Sequence, residues 1–480
     1  MAKNLLEQNE QNSSTPSGND LYAKRIPIYP RSVKGKFRTF KSSVLAFAFL
    51  VFYLLPWVPW NRGEGLPGQA IVFDLTAKTF YIFSLPVDIQ NIFWLAGVLA
   101  IFAFSLFFFT AVLGRVFCGY FCFQTLWTDA FIMIESLVQG NRNARKRLNE
   151  GPWNGEKISK VGLTWLVWLV FSMWTGFTFT SYWMPAPELI KVVFIGEAPF
   201  AAYGTIAFIT AATFIMAGFS REQVCTYMCP YARFQGVMFD KDTLVVTYDY
   251  KRGERENGRA KPTKGLRDRD ERIKEGYGDC IDCDLCVQVC PAGIDIRDGM
   301  NYQCITCGLC IDACHNMMTS LKFPTGLIRY DSENGIQGKK TNYFTPRNIG
   351  YGVVIIIVAA ILGWSIMHRD VAHYIVESSR QPATTLSDGR IQNTYELKFN
   401  NLTLEPQKLH VSIEDEGYEL AMRFNDIILK PGERQALNAG VRKSKDVDYK
   451  RDVTFVLTIT NPETGAIIDT QKLKAIFLNK

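Results

Sequence analysis

A chain of 480 residues is long enough for several domains, and 13% aromatic residues with a mean hydropathy of +0.01 fit membrane segments diluted by soluble parts. The net charge of +7 calls for no nucleic-acid partner, because basic residues gathered beside apolar spans serve orientation and anionic lipid headgroups. No P-loop, dinucleotide fingerprint or hydrolase triad stands out, which argues against nucleotide-driven and hydrolytic chemistry.

Residues 1–20 are rich in Asn, Gln and Ser without periodicity, the composition of a disordered tail. Tyr22 to Lys41 is basic and interleaved with aromatics, so it is expected to lie against the inner leaflet, and residues 1–43 form a cytoplasmic tail. More than 40 mostly polar residues precede the first apolar run, a pattern unlike a cleavable signal peptide. Five apolar stretches then approach the roughly 20 residues that span a bilayer: Val44–Trp60, Ile92–Leu113, Val161–Trp183, Phe200–Phe219 and Ile349–Met367. Trp57, Trp60, Trp183 and Trp364 stand near their ends as interface anchors.

Lysine and arginine number 8, 2, 7, 1, 19 and 16 in the segments between and around these stretches. High counts alternate with low ones, which places the N-terminus, the third segment and the fifth segment in the cytoplasm. The last segment is a long domain, where this bias is not read, and it is expected in the periplasm.

Two motifs follow even-numbered spans. After the second comes Arg115-Val116-Phe117-Cys118-Gly119-Tyr120-Phe121-Cys122-Phe123, and after the fourth Arg221-Glu222-Gln223-Val224-Cys225-Thr226-Tyr227-Met228-Cys229-Pro230. The shared C-x-Y-x-C core predicts that residues 44–219 hold four helices in two repeats, with a site where the repeats meet. In a regular helix each pair would put both thiols on one face. Four soft sulfurs together favour Cu(I); core filling and a redox-active disulfide are the alternatives. Pro230 disfavours a helical Cys229 and suits the first turn of a following helix, where a thiolate is favoured.

Residues 220–279 read as a linker, dense in charge and glycine from Tyr250 to Gly278, with a docking patch for an electron donor as the less favoured alternative. Within 280–322 fall eight of the chain's twelve cysteines. Cys280, Cys283, Cys286 and Cys290 repeat the spacing of Cys304, Cys307, Cys310 and Cys314, C-x2-C-x2-C-x3-C in both cases. In such runs three thiolates hold one cubane and the fourth crosses to the other cluster. One 4Fe-4S cluster is thus expected on Cys280, Cys283, Cys286 and Cys314, the second on Cys304, Cys307, Cys310 and Cys290. A zinc site closes on two C-x2-C pairs and has no use for the third cysteine of each run. The first run ends in Pro291 and the second in His315, a difference that leaves ligation untouched.

A second linker over 323–348 leads to the fifth span, 349–367, and residues 368–480 differ in kind. Alternating segments such as Leu409–Ile413, Tyr418–Phe424 and Val453–Ile459, separated by turn signals such as Lys430-Pro431-Gly432-Glu433, predict an immunoglobulin-like β-sandwich that binds a partner. None of the four histidines lies inside a span, which excludes a membrane haem b with two histidine ligands; His368 and His373, just outside the fifth, are read as solvated rather than metal-bound.

The order of parts, a polytopic segment with two C-x3-C pairs, a di-cluster ferredoxin insert before the last of five transmembrane helices and a C-terminal sandwich, resembles the cytochrome c oxidase accessory proteins of the CcoG (FixG, RdxA) type. The resemblance implies two 4Fe-4S clusters, a bacterial inner-membrane location, and reduction of Cu(II) to Cu(I) for assembly of cbb-type cytochrome c oxidase, with copper chaperones or oxidase assembly factors as partners. The family's second motif matches Cys225 and Cys229 with Pro230; the first matches Cys118 and Cys122, with Phe123 where proline is usual. The leading expectation is transfer from a cytoplasmic electron donor through the clusters to copper at Cys118, Cys122, Cys225 and Cys229. A quinol dehydrogenase subunit and a non-enzymatic copper-binding scaffold are the alternatives.

Overall fold

The computed structural model describes residues 27–480 apart from 64–65, 76–77, 89–90, 264–265, 369–371, 379–382, 404, 446 and 479–480; the predicted tail lies outside the described residues. Helix α1 (Lys36–Leu54) opens the chain's membrane part, earlier than the expected Val44. Its first turns are basic, and they are held by carboxylates: Arg38 N donates to Asp312 at 2.8 Å, and the Arg38 guanidinium grips Asp129 at 2.9 Å. Arg31 N donates to Gln288 O, so the basic approach to α1 packs on the cysteine-rich unit, where a lipid surface was expected.

A three-stranded antiparallel sheet follows, β1 (Ile71–Asp74), β2 (Thr79–Ile82) and β3 (Leu85–Asp88). Helix α2 (Ile92–Leu113) has no charged residue and ends at Gly114, whose φ of 61° stops the helix. After it come α3 (Val116–Tyr120), α4 (Phe123–Gln139), α5 (Arg142–Glu150) and α6 (Gly155–Thr180), the last two capped by the Asn141 and Asn154 side chains. Helix α7 (Ala186–Ile195) leads to α8 (Phe200–Thr213), which continues as a π-helical segment, Phe214–Ser220. Gly176 of α6 lets α8 approach closely, since a Cβ there would stand 2.6 Å from Ile206 O.

Among the described residues six helices, where five were expected, are long and apolar enough to cross a membrane. The additional one combines α3 and α4 over Val116–Gln139. Sequence reading missed it because Asp129 and Glu135 interrupt its apolar run. Both are buried and paired, Asp129 with Arg38 and Lys41, Glu135 with Arg221 and Arg145. This helix begins and ends on one side of the bundle. Gly119, in its first turn, abuts Ile305 and Cys307, and just after its end Arg145 donates to Pro30 O, beside the Arg31–Gln288 bond. The other five run from the end that carries the cysteine-rich unit to the end that carries the sandwich, or back.

Helix α9 (Pro230–Met238) and strand β4 (Val245–Tyr248) precede the eight clustered cysteines, and helix α10 (Leu309–Ser320) and strand β5 (Ile328–Asp331) close them. β4 pairs antiparallel with β5, Val246 opposite Tyr330 and Tyr248 opposite Ile328, so the unit reaches beyond 280–322 on both sides. The charged stretch before it is largely exposed or half-buried, but it is pinned at one residue. Arg272 is fully buried and donates to the carbonyls of Ala260, Leu266, Gly278 and Cys280. A guanidinium with five donors ties a loop together as readily as it faces water.

Helix α11 (Pro346–Met367), capped by Thr345, packs antiparallel on α2, where Trp94 Nε1 donates to Ser365 Oγ at 2.9 Å. Beyond it stands the expected immunoglobulin-like sandwich. One sheet runs β10 (Tyr418–Ala421), β12 (Arg434–Lys443), β8 (Ile391–Asn401), β6 (Ala372–Ser378), with the short β7 (Thr384–Thr385) on β8; the other runs β11 (Asp426–Leu429), β9 (Gln407–Ile413), β13 (Asp452–Thr460), β14 (Ile467–Ile476). Tyr395, Leu397 and Phe399 alternate inward from β8 against Val453, Phe455, Leu457 and Ile459 of β13. Arg434 pairs with buried Asp88, to which Asn400 donates at 2.8 Å, joining sandwich and β1–β3 sheet.

Candidate metal–sulfur site

The two cysteine runs adopt the same local backbone. Asp282 and Thr306, one residue before the second cysteine of each run, both have φ of 52°, and Asp284 and Gly308, one residue after it, have φ of 57° and 72°. Turning a chain around a compact object needs such left-handed residues, which ordinary side chains adopt reluctantly. Cys280, Cys283, Cys286 and Cys314 line one cavity; Cys290, Cys304, Cys307 and Cys310 line a second, which Cys286 also reaches. The crossed pairing read from spacing is therefore the pairing that the fold brings together.

Both cavities are apolar, with Leu327, Ile328 and Met318 on the first and Val246, Ile294 and Ile296 on the second. Burial pushes the thiols of Cys286, Cys290 and Cys314 up to about 12 and that of Cys304 to about 11. Thiolates so desolvated need a cationic centre to hold their charge. Among the described residues no three His, Cys, Asp or Glu side chains close on a single ion. Four thiols on each of two apolar cavities fit a pair of 4Fe-4S clusters.

The C-x3-C motifs adopt matching turns, and Cys229 is extended ahead of a helix that starts at Pro230, as that proline predicts. Cys122 N bonds Phe117 O at 2.9 Å and Cys229 N bonds Val224 O at 2.8 Å, an i to i+5 closure in each. The second cysteine of each is extended, Cys122 at φ −64° and ψ 129°, Cys229 at φ −84° and ψ 110°, and each caps the next helix. Phe123 takes the first helical position that Pro230 takes in the second motif, and the turn is unchanged.

The first motif is pressed onto the second cluster cavity. A Cβ on Gly119 would stand 2.6 Å from Ile305 O and 3.1 Å from Cys307 Cα, and Tyr120 donates to Cys307 O at 2.8 Å. Cys118 shares an apolar core with Cys307 and Ile305. The second motif lies beside the first, since burial first, then the neighbouring Cys122, Cys118 and Cys229, push the Cys225 thiol up to about 12. These four sulfurs do not close on one ion in this arrangement.

Three residues escaped the sequence reading. Gln235, fully buried, accepts from Arg115 Nε at 2.7 Å and faces the Cys118 thiol at 3.4 Å, while Arg115 also reaches Tyr302 O. Arg221, before the second motif, donates to Glu135 at 2.7 Å. An arginine shortly before each C-x3-C pair was the available signal. A cavity opens beside Cys225, walled by Lys41, Asp129, Arg221 and Glu222 and reaching Pro291, Gln303 and Ile305 around the second cluster site. His368 stacks on Trp364, and the side chain of His373 lies outside the described residues.

Comparison with known proteins agrees with both halves of this architecture. A family model described as a 4Fe-4S dicluster domain matches residues 220–333, and one describing the Ig-like fold at the C-terminus of the FixG oxidoreductases matches 362–477. Protein RdxB of Cereibacter sphaeroides is 40% identical over 83% of this chain and 84% of its own, and Protein RdxA of that organism 39% over 82% and 83%. Nitrogen fixation protein FixG of Rhizobium meliloti is 38% identical over 82% of this chain and 80% of its own. A crystal structure of a FixG-related protein from Vibrio parahaemolyticus matches 22% of this chain and 97% of its own at 21% identity, with a TM-score of 0.19 that carries no argument. On the extent of these matches, and with apolar helices, a dicluster domain and the C-terminal sandwich all present, the chain belongs to the FixG/RdxA family of membrane oxidoreductases.

Proposed function

We propose that this protein reduces Cu(II) to Cu(I) for assembly of cbb-type cytochrome c oxidase. Cys280, Cys283, Cys286 and Cys314 would hold one 4Fe-4S cluster and Cys290, Cys304, Cys307 and Cys310 the other, and such clusters supply one-electron transfer when bound. Cys118, Cys122, Cys225 and Cys229 receive the metal, because soft thiolates retain Cu(I) and so favour its formation. The observation that carries this reading is the contact of Gly119 and Tyr120 with the Cys307 loop, which puts the Cys118 thiol in one packed core with a cluster-binding turn. In this reading the cysteine-rich unit and its electron donor are cytoplasmic, the sandwich is periplasmic, and the membrane is the bacterial inner membrane, as the lysine and arginine bias supports. Replacing Cys225 and Cys229 by Ser should abolish most Cu(II) reduction by the photoreduced protein while iron content stays at about eight per chain. An unchanged rate removes the thiols from the reaction.

A second reading, oxidation of a quinol, has one observation in its favour. The cavity beside Cys225 is largely apolar and its two cations, Lys41 and Arg221, balance two carboxylates, Asp129 and Glu222, as suits a neutral ligand. Reduction of the protein by a quinol analogue without copper distinguishes it.

A further inference from the structure

The two cysteine cavities are alike in sulfur and unlike in one wall. Strand β4 passes over both: Val246 lines the second cavity and Tyr248, on the same face two residues later, lines the first. Tyr248 is only 6% exposed, and its hydroxyl meets no nitrogen or oxygen partner; the polar group beside it is the Cys280 sulfur, on the wall of the same cavity. A buried hydroxyl without a partner is costly, so one retained in a cluster cavity calls for an acceptor inside that cavity.

The hydroxyl is also held in place. Gly253 stands where any Cβ would collide with the Tyr248 ring and oxygen, so the neighbouring turn is shaped around it. Arg297, the charged donor on the same wall, is already committed: Nε serves Asp295, Nη1 serves Asp282, and Nη2 serves Asp284 and Asp295. Thr306 Oγ1 is buried without a partner too, but it does not line the second cavity.

We propose that Tyr248 donates a hydrogen bond to sulfur at the Cys280, Cys283, Cys286, Cys314 site and thereby raises the reduction potential of that cluster and not of its neighbour. The inference rests on reading those cysteines as cluster ligands. A hydrogen bond to a cluster sulfur stabilises the reduced, more negative state. Val246 offers the second site nothing comparable, so β4 makes the two centres unequal and sets where a single electron rests.

Tyr248→Phe keeps the ring and removes the oxygen. In an anaerobic potentiometric titration of the full chain followed by low-temperature EPR, reduction of the first cluster should become about tenfold less favourable, about 59 mV for one electron, with the second unmoved. A proton coupling that exchanges in deuterated water should also vanish from the first cluster's signal. Both clusters titrating as in the unaltered protein, or shifting together, with iron retained, overturns the proposal. Should Tyr248→Phe lose iron, 3-fluorotyrosine inserted at 248 keeps ring and oxygen and donates more strongly; the first potential should rise, and no change overturns the proposal. Absence of iron from the unaltered protein would instead overturn the ligand assignment.

Discussion

At the scale of single residues, the position that decides most is a glycine. Gly119 has no room for a methyl group, because the atoms it would meet are the Ile305 carbonyl and the Cys307 backbone, neither of which can swing aside. Gly119→Ala should therefore lift the first C-x3-C motif off the second cluster site, at about 1–3 kcal/mol in stability. The expected outcome is a copper reduction rate at least tenfold lower with iron content unchanged, measured on the same preparation; an unaltered rate would mean that this contact is dispensable. The same glycine illustrates what residue types disclose. The twelve cysteines announce themselves by spacing, whereas Gly119, Gln235 and Arg272 do ordinary-looking jobs whose importance comes from neighbours distant in sequence.

At the scale of elements, the two C-x3-C turns make the repeat concrete. Each closes with an i to i+5 bond and delivers its second cysteine, extended, to the start of a helix. The extra residue in each turn lets one helix end abruptly and the next start in a new direction, the break that Pro230 announces at the second motif. Because Cys122 is already extended and Phe123 occupies the first helical position, proline there should be accepted. Phe123→Pro is expected to leave copper reduction within about twofold and to cost about 0.5–1.5 kcal/mol through its lost contact with Trp127, whose ring lies 4.3 Å away. Thermal unfolding and the reduction assay check the two halves; a large loss of activity would show that the aromatic ring itself serves the site. The helix that follows, α4, stayed hidden for a related reason. Asp129 and Glu135 look like interruptions until Arg38, Lys41, Arg145 and Arg221 are seen to neutralise them.

At the scale of the whole molecule, the cysteine-rich unit is fastened to the bundle from several directions: Asp312 holds α1, Cys307 receives Tyr120, and Asp240 pairs with Arg347 at the start of α11. The sandwich is fastened at the other end through Asp88 and Arg434. Only the first of these units is built around thiol-lined cavities. Anaerobic removal of iron with a chelator should expose residues 245–331 to protease while the sandwich stays resistant, because a metal-dependent core loses its fold with its metal. Equal resistance before and after removal would mean that the unit folds without its clusters.

Local spacing and composition were enough to set out the order of the parts, the two cysteine runs that the fold gathers crosswise into two cavities, five of the six long apolar helices and the alternation of the sandwich strands. Each of these depends on periodicity or on ligands close together in the chain, and such information survives in one dimension. Tertiary structure alone decided that the charged stretch before the clusters is pinned at Arg272, that α4 lies among the helices with its acids paired, and that the first thiol motif sits against Cys307. The physical reason is the same in all three cases: a charge or a missing side chain has its meaning set by the group that meets it, and here that group comes from a distant part of the chain or across a fold in the backbone.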